Sequence, residues 1–589
     1  MVKSKMVSAV ILVVFFLVHV VAADELKDNW SDFLHYTKIG RFDLAKRYGQ
    51  ALLDANPDPV ALHGLTVANP QGYDIMLRVH ESAPDRELAA ITEKVIAVVD
   101  QGQFVRRSDP SMVVLEVRRL SSTERGKMIA MKRLKDAGEF AIPFLLDVIA
   151  NPNRRAELPN VVWVLPRIGQ QAVRPLAAAL LSANPAVKAE VISAMGQIGY
   201  PQSLPYLKHV VESESSDELR SLATRSMQKI DPTALGVSAA ELFFMLAEKY
   251  YDHHASLAAE SKAGMSNVWF WDTEKRRLVW NVVDSRYFHE LMAMRCCEWA
   301  LQADPEFGRA IGLWLASFFK AEATGEAMPS YFGQSHADAS VYAATAGPEY
   351  LHQALARGLD DGDRDVALGA TEALIVTAGQ KAIFVPVGPV QPLLQALIFA
   401  DAAVRYTAAI AIAAAGPQGQ FDESGLVMEN LAEAIHSGAT GGDPLDARYA
   451  ERSVKALITL ASQGSRAFQL AKAQEALVEA LAAGNDNMKV WAAQVLAHID
   501  SPAAQAEIAK IALSSSQEAS VRVQAFKSLA TSAKLFGSML DENLIAQVYE
   551  LLGSSANEPE LRAASAAAFG ALNLPSRRVK DLILDQARR

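Results

Sequence analysis

Ala403–Ile412, AVRYTAAIAI, decides how the rest of the chain is read. Counted from Val404, small residues stand at the fifth and eighth positions (Ala408, Ala411) and a large apolar residue at the ninth (Ile412). That spacing of i, i+3 and i+4 marks one face of an α-helix. Small side chains on such a face let a neighbouring helix approach closely, and the large one fills the gap between layers. The same 13-residue pattern starts again at Glu157, Val187, Leu219, Val366, Tyr449, Met488, Val521 and Leu561. Its ninth position is always large and apolar: Leu165, Met195, Met227, Leu374, Leu457, Leu496, Leu529 and Phe569. The second position is basic in six of the nine units, as Lys188, Arg220, Arg405, Lys489, Arg522 and Arg562.

A second helix precedes this one. Pro143, Pro175, Pro205 and Pro392 each open an apolar segment and lie 14, 12, 14 and 12 residues before the next pattern start. Proline suits the first turn of a helix, where its missing N–H costs nothing. Each unit is therefore a helical hairpin, and hairpins repeated in series make an α-solenoid. Residues 403–412 and the run from Val521-Arg522 to Leu529 resemble HEAT repeats of the bilin-lyase-like subtype. The resemblance implies that the basic ladder lies along an inner turn and pairs with neighbouring carbonyls or Asp.

Two further stretches resemble tetratricopeptide repeats. Residues 30–57 place Trp30, Tyr36, Gly40, Ala45, Ala51 and Pro57 near that family's spacing, and LMAMRCCEWALQADP places Ala293, Ala300 and Pro305. The helix after it, Arg309 to Ala321, would be the next in that repeat. Residues 86–140 read as more helix, with Arg118, Arg119, Arg125 and Arg133 on a solvated face. The order of parts, including the run Arg133–Pro143 with its Ala-Gly-Glu-Phe-Ala-Ile-Pro, is similar to a group of exported bacterial HEAT proteins. That likeness implies a fold and a compartment and carries no activity.

One segment breaks the helical pattern. Asn267–Val283, NVWFWDTEKRRLVWNVV, sets Trp269, Trp271 and Trp280 among β-branched residues around a polar turn, Asp272–Arg277. This is a β-hairpin signal. Exposed, the tryptophans with Lys275, Arg276 and Arg277 would form a patch for a protein or peptide partner, or for a glycan. Buried, they would cap the apolar end of the first repeat block. The expected fold class is thus all-α: HEAT-like helical hairpins with tetratricopeptide-like segments and one inserted β-hairpin. The expected division is a signal peptide at 1–23, an N-terminal helical region at 24–136 and a first HEAT block at 137–231. The hairpin-bearing region at 232–340 and a second HEAT block at 341–589 complete it.

The leader sets the compartment. Lys3 and Lys5 precede an apolar run, Ala9 to Val18, and small residues stand at Ala22-Ala23 before Asp24-Glu25. That is the pattern of a cleaved signal peptide, so the protein is expected outside the cytoplasm, periplasmic or extracellular. No later apolar run reaches spanning length, so no membrane span is expected after cleavage. Cys296 and Cys297, adjacent and without another cysteine, are expected to be buried thiols. Of 589 residues, 50% are hydrophobic, and the formal charge is −10, moving to −12 without the two leader lysines. Such an acid balance disfavours gripping a phosphate backbone, so no nucleic-acid partner is expected.

The sequence carries no P-loop, GxGxxG, HExxH, GxSxG, CxxC or EF-hand loop. His253-His254 reads as a surface pair, since adjacent residues on a helix point about 100° apart. Asp360, Asp361, Asp363 and Asp365 around Gly362 read as an acidic turn capping the next helix. No catalytic residue, cofactor or metal is assigned. The function expected is a non-catalytic scaffold for protein partners. The alternatives are a HEAT-type lyase-like enzyme and a self-associating structural envelope protein.

Overall fold

The structure is a computed structural model that describes residues 25–82, 85–258, 264–333, 336–553, 558–577, 579–580 and 584. The leader expected at 1–23 lies outside them. The chain divides into two compact units, residues 1–307 with 324–335, and residues 308–323 with 336–589.

In the first unit, a helix over 25–38 turns at Gly40 (φ +74°) into Phe42–Asp54. A left-handed residue there requires glycine, which has no Cβ to clash. Trp30, Phe33 and Leu52 are buried between these helices, and Tyr36 stacks on Tyr48 at 5.4 Å. Pro59–Ala68 and Phe42–Asp54 pack on the long helix Arg86–Ser108. Pro110–Arg119 and Glu124–Ala137 follow, then the hairpins built from Ile142–Ala150, Pro185–Ile198, Leu204–Ser213 and Asp217–Ile230. Ala239–Tyr251 packs on Phe288–Ala303, with two strands between them in sequence. The second unit begins with Arg309–Ala323 and continues in helical pairs such as Pro348–Asp360 with Arg364–Thr377, and Ser424–Thr440 with Pro444–Gln463.

The repeat pattern is the core. All nine ninth-position residues, Leu165 through Phe569, lie between 0% and 6% exposed, and the small fifth- and eighth-position residues Ala370, Ala408, Ala411 and Ala492 are fully enclosed. Burying a large aliphatic side chain is worth about 1.5–3 kcal/mol, so nine repetitions hold the stack without disulfides. Cys296 and Cys297 are buried and not joined in a disulfide, and burial pushes the Cys296 thiol up to about 12. Two units depart from regular helix. Pro166, lacking an N–H, turns Leu158–Val164 into a 3-10 turn over Leu165–Ile168, and the segment at Pro392 is helical only to Gln395 before a 3-10 turn at Ala396–Ile398.

The basic ladder pairs inward, as the repeat resemblance implied. Arg405 donates to the carbonyls of Phe399 and Ala400, both at 3.2 Å, and to Glu433 at 2.8 Å. Arg522 donates to the Ala512 carbonyl, Lys489 to Gln517, Lys188 to Glu214, and Arg220 to the Glu214 carbonyl. These carbonyls end the preceding helix, where a cation also meets the negative end of the macrodipole. Asp363 caps Arg364–Thr377 by accepting from the amides of Asp365 and Val366. Among the described residues, no helix is long and apolar enough to cross a membrane.

Arg118, Arg125 and Arg133 are exposed, as expected, and Arg119 is half-buried; Arg119 and Arg133 in addition grip Glu116, which is 3% exposed, at 2.7 Å and 2.5 Å. His253 is exposed, as expected of a surface pair, but it has partners. It stacks on His289 at 4.7 Å and sits 2.5 Å from Glu290 Oε1. The reason is local: His253 leaves the helix with φ +51°, which turns its ring back over the next helix. His254 remains exposed.

Candidate functional site

The inserted hairpin is an antiparallel pair, β1 (Met265–Asp272) and β2 (Arg277–Asp284). Trp269 stands opposite Trp280, Trp271 opposite Leu278, and Asp272 opposite Arg277. Residues opposite in a ladder lie on the same face, so Trp269 and Trp280 meet, with centroids 5.1 Å apart. Trp271, at i+2, shares that face with them, while Phe270 points the other way.

The tryptophans divide by burial. Trp269 is 3% exposed, whereas Trp271 and Trp280 are half-buried. Trp269 is therefore an internal anchor and offers no surface to a partner. Its indole N–H donates to Glu139 Oε2 at 2.7 Å, and the Asn267 amide donates to Glu139 Oε1 at 2.7 Å. Arg174 completes the setting, 3.7 Å from Glu139 Oε2. A buried carboxylate is tolerable only with such partners, and here two neutral donors and one cation supply them. Trp280 packs edge-on against Phe140 at 5.5 Å, and Phe140 in turn meets Phe104 at 5.4 Å. The hairpin is thus pinned to the Arg133–Pro143 run, which lies about 130 residues earlier.

Lys275, Arg276 and Arg277 form the exposed tip. Lys275 folds back on Asp272, its amide at 2.8 Å from Oδ1 and its ammonium at 3.1 Å from Oδ2, and Arg276 takes a left-handed φ of +51°. The structure therefore brings Lys275, Arg276 and Arg277 together at the tip and separates them from the buried end of Trp269. Beside the strands lies a small cleft of about 100 Å³, lined by Phe270, Trp271, Tyr206, Arg295 and Trp299 among others. The Arg295 guanidinium lies 4.1 Å from the Phe270 ring, and its Nη1 is buried without a hydrogen-bond partner.

Around the base of the hairpin runs a titratable cluster that sequence reasoning missed. Glu290 is buried and faces His253, while His289 lies between His253 and Tyr250. Burial, then the neighbouring His253 charge, lowers His289 from 6.5 to about 4; Glu290 opposes the shift and Arg174 adds to it. Among the described residues, no group of three or more His, Cys, Asp or Glu side chains is placed to hold a metal ion. Glu139, Arg174 and Glu290 are lone polar residues in helical segments, and nothing in their spacing marks them. The one available signal was a carboxylate inside an otherwise apolar run, Phe-Ala-Ile-Pro following Gly138-Glu139.

Residues 141–228 match the family of HEAT repeats. No curated protein matches the chain. Among solved structures, an engineered protein is 15% identical with a TM-score of 0.29, over 79% of this chain and 99% of that one. Human deoxyhypusine hydroxylase in complex with glycerol is 13% identical with a TM-score of 0.19, over 77% of this chain and 99% of that one. Importin beta is 12% identical with a TM-score of 0.28, over 93% of this chain and 71% of that one. At these values the likeness identifies no partner and no activity. What stands is an all-α chain of HEAT-like helical hairpins, with a HEAT-repeat block at 141–228 and one inserted β-hairpin.

Proposed function

We propose that the protein is an exported interaction scaffold that binds a protein or peptide through the outer part of its β-hairpin, in the periplasm or outside the cell. The observation that carries this reading is the division of labour within the hairpin. Trp269 spends its hydrogen bond and its surface on Glu139. Trp271 is half-buried and helps line the small cleft that Arg295 also borders. A rigid two-stranded projection with an aromatic side and a basic tip is pre-organised for contact, which lowers the entropic cost of binding. Half-buried tryptophan and arginine are also the residue types that carry interface energy. Export rests on the leader pattern, Lys3 and Lys5 before Ala9 to Val18.

The test is capture from an envelope extract with the protein and with a variant carrying Trp271→Ala, Lys275→Ala and Arg276→Gly. All three side chains lie away from the Glu139 anchor, so the unfolding midpoint should barely move. A partner retained by the parent and lost by the variant supports the reading. Equal recovery with both proteins, or recovery of the bait alone, contradicts it.

A further inference from the structure

A separate cavity of about 760 Å³ lies in the first unit, lined by residues of Pro59–Ala68, Arg86–Ser108, Pro110–Arg119 and Glu124–Ala137, with Gln171. That volume is in the range of small-molecule sites, about 300–1,000 Å³. Its walls are apolar at Val67, Phe104, Met112 and Leu134. Its polar groups are out of balance. Arg107 donates from Nη2 to Gln171 at 2.8 Å, yet its Nε–H is buried with no partner. His63 Nδ1, on the same lining, is also buried with no partner. The cavity is also lined by the carboxylates of Asp100, Glu116 and Asp136, none of which bonds the Arg107 Nε–H; Glu116 is held by Arg119 and Arg133, and Asp100 accepts from Tyr73. A guanidinium only donates, so what is missing beside Arg107 is an acceptor. Leaving a buried donor unmet is unfavourable, and the helix end that accommodates the Arg107 charge does nothing for its Nε–H.

The backbone is shaped to keep this arrangement. A Cβ on Gly138, which has φ +61°, would fall 1.6 Å from Gln171 Oε1 and 2.8 Å from Arg107 Nη2. A Cβ on Gly102 would meet the Pro59 carbonyl at 1.9 Å and His63 Cβ at 2.9 Å. Two glycines thus allow the close approach that sets Arg107, Gln171 and His63 around one space. Arg106 and Lys135 add positive charge to the lining, and burial, with the Arg106 charge, lowers the His63 imidazole from its ordinary range.

We propose that this cavity binds a small carboxylate with an apolar body, its carboxylate accepting from Arg107 Nε and its body resting on Phe104, Met112 and Leu134. The site is distinct from the hairpin surface and does not depend on that reading. Decanoate and 4-phenylbutyrate are titrated into the purified protein by calorimetry, each beside its uncharged primary amide. An N-acetylated peptide ending in leucine, with a free or an amidated C-terminus, shows whether the carboxylate belongs to a free acid or a chain end. The acid forms should bind at least about tenfold more tightly than their amides, the difference expected of a charge-assisted bond. Arg107→Met should remove that difference, and Arg107→Lys, which keeps the charge without the Nε–H, should weaken binding by about fivefold or more. Acid and amide binding alike, binding unaffected by Arg107→Lys, or no binding by any probe would each overturn the proposal.

Discussion

The helices from Ala402 to Phe536 and the junction of the hairpin with Gly138–Ala141 solve the same problem in opposite ways. In the repeats, the interior is mostly apolar, with a few enclosed polar side chains such as Thr407, Asn430 and Gln505, and Arg405 and Arg522 of the ladder turn to carbonyls at the end of a neighbouring helix. The polar work is done at the margin, unit after unit. At the junction a single carboxylate, Glu139, stands inside and gathers donors from two strand residues and an arginine. The first arrangement is redundant and tolerant of change; the second is unique. A polar group that must be satisfied completely fixes one geometry, which is why an aromatic insert can project from a repeat protein in a defined orientation.

Substitutions separate the two regimes. Glu139→Leu should have the largest effect, about 3–5 kcal/mol in chemical denaturation, because it strands two buried donors and Arg174. A loss under about 1 kcal/mol would mean the junction is no more demanding than the ladder. Leu496→Ala, in the repeat core at 0% exposure, should cost about 2–5 kcal/mol as a buried large-to-small change. A smaller effect is expected from pH. The His289 pKa is depressed in the folded state, so the unfolded chain binds the proton that the folded one resists. Its contribution is present above 6.5 and falls away as pH drops toward about 4. His289→Gln should flatten that part of the stability profile, read as unfolding midpoint against pH for both proteins; parallel profiles would remove His289 from the account. Smallest of all is Lys275→Ala, which breaks an exposed pair with Asp272 and should change stability by less than about 0.5 kcal/mol.

The repeat was legible because it is periodic. Small residues at Ala408 and Ala411 beside Ile412 mark a buried face in any one unit, and nine units make the pattern unmistakable. The hairpin was legible for the related reason that alternation around Asp272–Arg277 is a two-residue period. Its burial was not, since the indole partner of Trp269 lies some 130 positions away and carries no local mark. Likewise Arg133 is the exposed cation it reads as, but its bond to the buried Glu116 carries no local mark. The His253–His289 stack depends on one left-handed residue, and an unmet Nε–H at Arg107 exists only in three dimensions. Local periodicity gives elements; unique long-range polar contacts give sites.

The most direct test of the central claim, that the Glu139 carboxylate holds the hairpin to the repeat, is a double-mutant cycle in chemical denaturation using Glu139→Gln and Trp269→Phe. Trp269→Phe removes the indole donor, and Glu139→Gln removes the charge and leaves one acceptor oxygen for the two donors, Asn267 and Trp269. The account predicts a coupling of at least about 1 kcal/mol between them, with the double variant losing less than the sum of the single ones. Additivity within about 0.3 kcal/mol would contradict it.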